Sequence, residues 1–126
     1  MTGAKHLSEP CFSLVATGKK VYEGRLGNNS MAASASVGTQ IVFYNDDLGR
    51  RRETKVAMMG KRKFASFRAV LESSAGALAK TLPTIASVDD GVAVYRAFYS
   101  AESEKQHGVV RLRLRETQKI TDIDGI

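Results

Sequence analysis

Lys20, Glu23 and Arg25 place three charged groups of mixed sign within six positions, just after Gly18 and among apolar neighbours. Solubility alone does not call for charges packed this closely. Two adjacent cations favour the ionised form of a carboxylate. Glu23 so held is a good acceptor for the exocyclic amine of a base and a weak general base at neutral pH. Burial would work against that ionisation and open a catalytic role for Lys20 with Glu23. Arg25 can grip a phosphate or carboxylate through its planar fork, whereas Lys20 acts as a point charge. The set suits a nucleotide with an anionic part and an amino-bearing base. The plainer alternative is an ion pair that only pins a helix to a strand.

The elements around the trio follow from spacing. Ser8 is a candidate N-cap, with Glu9 and Pro10 in a first helical turn where an acid suits the dipole. Phe12, Val15 and Ala16 recur at helical spacing, and Gly18 closes the helix as the residue after its C-cap. Val21–Leu26 reads as a strand, with Tyr22, Gly24 and Leu26 on one face and Val21, Glu23 and Arg25 on the other. Glu23 and Arg25 are therefore neighbours. Lys20 has the wrong parity and joins them only if the regular pleat starts after it, at the corner. Gly24 leaves room for something to approach closely.

Gly27-Asn28-Asn29-Ser30 is turn chemistry. Residues 31–37 read as a loop with one helical turn, and Thr39–Tyr44 as a strand buried on both faces. A hairpin over Asn45–Gly49 leads to a long strand from about Arg51 to Lys61, with Val56, Met58 and Gly60 sharing a face. Ser66 opens a short helix carrying Phe67, Val70 and Leu71, and a second turn at Ala75–Lys80 stops near Pro83. Ser87 and Asp90 form a capping box for a helix over Val88–Tyr99. Residues 101–107 read as a polar loop. Val109–Arg115 alternates, leucines in and arginines out, as the clearest strand. Residues 116–126 read as a loose tail.

Charge is uneven along the chain. Eight of the nineteen basic residues fall within 50–68, namely Arg50, Arg51, Arg52, Lys55, Lys61, Arg62, Lys63 and Arg68, against the single acid Glu53. Phe64 and Phe67 interleave with them. Cations with aromatics can hold a nucleic-acid backbone while bases stack, although both phenylalanines also fit a core. The net charge of +6 in 126 residues suggests an anionic partner, nucleic acid foremost.

The remaining chemistry is thin. Cys11, the single cysteine, fits a reducing compartment and a small core residue. His6 and His107 stand apart, and no metal-ligand spacing or glycine-rich phosphate loop is present. Ser66 is a candidate ligand-binding group or nucleophile, more simply explained as a cap. Tyr95 and Tyr99 read as core. No apolar run reaches membrane-spanning length, and the chain reads as a soluble intracellular monomer, cytoplasmic or nuclear, with no cofactor and no metal.

Gly18-x-Lys20-x-x-Glu23-x-Arg25 resembles the GxKxxExR signature of the ASCH domain family, which is related to PUA domains. Val37–Phe43 resembles the family's vGDxIxF segment, with Thr39 in place of the usual aspartate. Phe64-Ala65-Ser66-Phe67, Leu82-Pro83, Gly91–Tyr99 and His107–Val110 follow in the family's order, so that the resemblance covers about residues 8–115. It implies one α+β domain over 1–126, a small, mostly antiparallel PUA-like β-barrel with flanking helices. Lys20, Glu23 and Arg25 would line a cleft between barrel and helix.

The resemblance also implies RNA or nucleotide binding; on that reading the basic residues Arg50, Arg51, Arg52, Lys55, Lys61, Arg62 and Lys63, and the arginines of 111–115, would hold the backbone. The alternative it implies is an enzyme. One similar group is an amidohydrolase acting on N4-acetylcytidine, and at least one relative is a ribonuclease. Lys20 and Glu23 would then be catalytic. The amidohydrolase group usually has threonine where this chain has Glu23, which tilts the expectation towards binding. A protein adaptor with a basic face is the third reading.

Overall fold

The structure is a computed structural model that describes residues 4–34 and 36–122. Eleven elements follow in the order β1 (Lys5–His6), α1 (Cys11–Ala16), β2 (Tyr22–Leu26), α2 (Ser30–Ser34), β3 (Gln40–Asn45), β4 (Arg52–Phe64), α3 (Phe67–Leu71), α4 (Ala77–Thr81), α5 (Val88–Arg96), α6 (Ala101–His107) and β5 (Val109–Asp122). The five strands form one curled half-barrel sheet in the order β1-β3-β4-β5-β2. β5 lies antiparallel between β4 and β2, which is how the C-terminal strand meets an early one. The α+β architecture is the expected one. No helix among the described residues is long and apolar enough to cross a membrane.

Strand alternation divides the apolar residues between two cores. Val110, Leu112 and Leu114 of β5 point inward with Val56, Met58, Ile41 and Phe43, and α1 closes this core with Phe12 and Val15. Helices α3 and α5 build the second core on the other side, where Phe67, Val70, Leu71 and Tyr95 pack with Val109. The arginines between the leucines of β5 stay outside, as the pattern requires.

Local signals held where a side chain satisfies a helix end. Ser66 accepts from the Ala69 amide at 3.0 Å, and Ser87 accepts from the Asp90 amide at 3.1 Å. Gly18 takes a left-handed φ of +76°, and its amide bonds to the Val15 carbonyl at 3.1 Å, ending α1.

Other expectations are corrected. α1 starts at Cys11 rather than beside Ser8, and its first turn is held by Glu9, which accepts from the Ser13 amide at 2.9 Å and the Ser13 hydroxyl at 2.6 Å. β3 is buried on one face only, with Val42 and Tyr44 half-exposed on the other. The expected polar loop over 101–107 is α6, capped by Ser100, whose hydroxyl accepts from the Ser103 amide at 3.0 Å. α5 ends at Arg96, three residues early. β5 runs past Glu116, the expected start of a loose tail, and pairs Asp122 with Arg52. Residues 123–126 of that tail lie outside the described residues.

One irregularity changes which side chains share a face. Met58 pairs with Leu114 and Gly60 with Arg113, so Met59 is extra and β4 carries a bulge. A one-residue shift inverts the alternation. Gly60 therefore leaves the face of Val56 and Met58, and Arg62 and Phe64 move with it to the outer side.

Candidate functional site

β2 is an edge strand, and a cleft of about 420 Å³ opens along its free edge, between the β1–α1 segment and α5. Lys20, Glu23 and Arg25 all line it. Lys20 reaches them from the corner, as its parity demands. The Gly18 turn returns the chain so that the Lys20 amide bonds to the Leu14 carbonyl at 2.9 Å, which fixes the backbone just before the pleat begins.

The trio is buried. Lys20 is 3% exposed and Glu23 is 7% exposed. The Lys20 ammonium donates to the Tyr22 carbonyl at 2.8 Å and to the Thr81 carbonyl at the end of α4. Its distance to Glu23 Oε1 is 3.8 Å, an ion pair without a hydrogen bond. Glu23 Oε2 accepts from Arg25 Nη2 at 3.2 Å. Oε1 therefore keeps its acceptor capacity for something else. Burial disfavours charge on Arg25, but the Glu23 carboxylate and Tyr99 outweigh it, so the guanidinium is held above its ordinary value.

Two buried polar atoms of the cleft residues have no partner, Arg25 Nε and the Tyr95 hydroxyl. Tyr95 is 7% exposed. Burial, with the Glu23 charge close by, pushes its phenol far above the ordinary range, so it remains a proton donor. Buried donors are almost always satisfied in folded proteins, so these two stand out. The space that Gly24 leaves is taken by these aromatics: a Cβ there would sit 3.1 Å from the Tyr95 hydroxyl and 3.4 Å from Phe67. Phe67 in turn stacks on Tyr95 with ring centres 4.0 Å apart.

The sequence reading missed three contributors. Phe98 stands at the cleft with 77% of its surface exposed. The Thr81 carbonyl holds Lys20 across sixty-one positions of chain, a distance no local pattern reports. Glu104 on α6 is buried, accepting from the Phe67 amide at 2.9 Å and from Arg96 at 2.7 Å. It fixes the helix pair that carries Tyr95.

Other expected site residues lie elsewhere. Ser66 caps α3 and is not among the residues lining the cleft, so its hydroxyl serves the helix. Arg52 is corrected from a backbone contact to an interior strut: it is 8% exposed and donates to Asn45 Oδ1 at 2.7 Å and Glu9 Oε2 at 3.1 Å. Arg51 pairs with Glu53 at 2.9 Å and covers the Tyr44 ring at 4.1 Å. Lys55 is half-buried, whereas Arg50, Lys61, Arg62 and Lys63 are exposed. Phe67 is core, and Phe64 packs against the second core while carrying Arg62 over its ring at 4.8 Å. Cys11 also lines the cleft, and burial pushes its thiol up, which suits a wall residue better than a nucleophile. His6 does not stand apart: its Nε2 lies 3.5 Å from Asp46 and 3.5 Å from Asp47, all three exposed.

No family model matches the chain, and no curated protein matches it closely. Solved structures do. The hypothetical protein PH0355 is 31% identical with a TM-score of 0.72, the match covering 90% of this chain and 96% of that one. Protein PF0455 from Pyrococcus furiosus is 32% identical with a TM-score of 0.72, covering 93% and 98%. An ASCH protein from Zymomonas mobilis is 16% identical with a TM-score of 0.63, covering 96% of this chain and 71% of that one, and one of its point mutants reaches 0.68. At that identity and coverage the chain belongs with PH0355 and PF0455 in one family, and its fold is that of an ASCH domain.

Proposed function

We propose that this protein is an RNA- or nucleotide-binding domain that takes a nucleotide into the cleft lined by Lys20, Glu23 and Arg25. The observation that carries the reading is the pair of orphaned donors, Arg25 Nε and the Tyr95 hydroxyl, beside a carboxylate oxygen that accepts no hydrogen bond. Glu23 Oε1 accepts an exocyclic amine. Arg25 Nε–H and the Tyr95 hydroxyl bond to ring or carbonyl acceptors of the base or to a phosphate. Phe98, exposed at the cleft, offers a ring face on which a base can stack. Two cations against one carboxylate leave the trio with a net positive charge, which suits an anionic nucleotide.

Hydrolysis has less support. A lysine held by two carbonyls is not a free nucleophile, and a carboxylate bonded to arginine is a weak base. The test is binding of short single-stranded RNA of mixed sequence, compared with Glu23→Gln. The reading expects an affinity loss of about tenfold or more, in line with a hydrogen bond to a charged group. Equal affinities would contradict it.

A further inference from the structure

The outer face of the sheet carries a second feature, on the other side of β2 from the trio. Tyr22, Gly60, Lys61, Arg62, Arg111 and Arg113 border a depression of about 270 Å³, and no acidic residue lines it. Its cations come from two strands. Arg62 on β4 lies directly opposite Arg111 on β5, and Gly60 lies opposite Arg113. Like charges directly opposite each other across a ladder are destabilising, so this arrangement calls for an anion to offset it.

Three details make the face a built site. The bulge at Met59 turns Arg62 outward; without it, regular alternation would aim Arg62 at the inner face. Gly60 adds no side chain to the floor, where a Cβ would meet the Arg113 side chain at ordinary contact distance, 3.8 Å. Two of the guanidiniums, those of Arg62 and Arg111, are also held in place by rings. Arg111 lies 4.1 Å from the Tyr22 ring centre and 5.0 Å from that of Phe64, and it donates to the Ser73 hydroxyl at 3.0 Å. Arg62 covers the Phe64 ring at 4.8 Å. A guanidinium stacked on a ring keeps its in-plane N–H groups free at its edges, the geometry that grips phosphate oxygens in a fork.

We infer that Arg62, Arg111 and Arg113 form a phosphodiester-binding site for single-stranded RNA, separate from the cleft and assembled by the Met59 bulge. The inference rests on the RNA-binding reading and replaces a contiguous basic run with a two-strand site. Arg52 is inside the fold and Lys63 does not line the depression, whereas Lys61 borders it beside Arg62.

The test is the salt dependence of RNA affinity, measured by fluorescence anisotropy on labelled single-stranded RNA. Each phosphate contact contributes about 0.7 to the slope of log affinity against log salt. The double variant Arg62→Gln/Arg113→Gln, both exposed positions, is expected to lower that slope by about 1.4, and Arg62→Lys/Arg113→Lys to keep it. Glu23→Gln is expected to weaken binding without changing the slope. An unchanged slope in the glutamine variant, with Glu23→Gln still weakened, overturns this site alone. A reduced slope with no effect of Glu23→Gln supports this site and overturns the cleft. No RNA binding by the unaltered protein overturns both. Displacement of RNA by polyglutamate of equal charge as readily as by RNA itself overturns the site as an RNA contact and assigns the face to an acidic protein.

Discussion

Lys20 and Glu23 face each other at 3.8 Å with both side chains out of water, yet the ammonium hydrogen-bonds to the Tyr22 and Thr81 carbonyls instead of the carboxylate. Lysine thus ties β2 to the end of α4, and the glutamate keeps an oxygen for other work. One residue serves the fold, and its neighbour is the one we propose for the ligand.

That division sets the outcome of Lys20→Met. It removes the charge partner of a buried carboxylate and leaves two carbonyls without a donor, although Arg25 still pairs with Glu23. A loss of about 3 kcal/mol is expected, at the low end for breaking a buried pair. Chemical denaturation checks it, and a loss under about 1 kcal/mol, the range of exposed pairs, would contradict the buried arrangement.

Gly24→Ala acts through Tyr95. The added methyl meets the phenol oxygen at 3.1 Å and Phe67 at 3.4 Å, so the ring stack must shift. Overpacking of this kind costs about 1–3 kcal/mol. The variant should lose stability and ligand affinity together, read by thermal melting and RNA titration, because the displaced hydroxyl belongs to the cleft.

Glu104→Ala separates scaffold from site. The carboxylate satisfies the buried Phe67 amide at the start of α3 and pairs with Arg96. Removing it strands a buried donor, which costs about 1–3 kcal/mol. Glu104→Gln keeps the acceptor for Phe67 and should recover part of the loss in a denaturation experiment.

The acid limb of stability should report Glu9. Burial pushes its carboxyl up, but hydrogen bonds from the Ser13 side chain and amide and from Arg52 outweigh this and hold it below its ordinary value of 4.5. A carboxyl depressed on folding contributes stability that is complete above the unfolded value and is lost as pH falls through the folded one. Glu9→Gln should flatten the stability curve below about pH 4.5 and leave its slope above that unchanged, as followed by denaturant midpoints across pH.

Much of this was legible in the sequence. The placement of Lys20 at a corner followed from parity, and the caps at Ser66 and Ser87 followed from local spacing, because those signals act over a few residues. What stayed hidden depends on distant partners or on one-residue irregularities. α6 was missed because Ala101–His107 has no apolar stripe; Ser100 and Gly108 at its ends were the available signals. Arg52 looked like surface because its partners Glu9 and Asn45 come from other elements. The Met59 bulge was missed because alternation was carried straight through it, which placed Gly60 on the wrong face; the glycine itself was the available signal.

The occupancy of the cleft can be read by an amide and side-chain NMR titration with short single-stranded RNA of mixed sequence. The account expects saturable shifts at Glu23, Gly24 and Arg25 and at the Arg25 Nε–H, a buried donor that has no partner in the free protein. RNA binding that leaves those signals unmoved, or no binding at all, would contradict it.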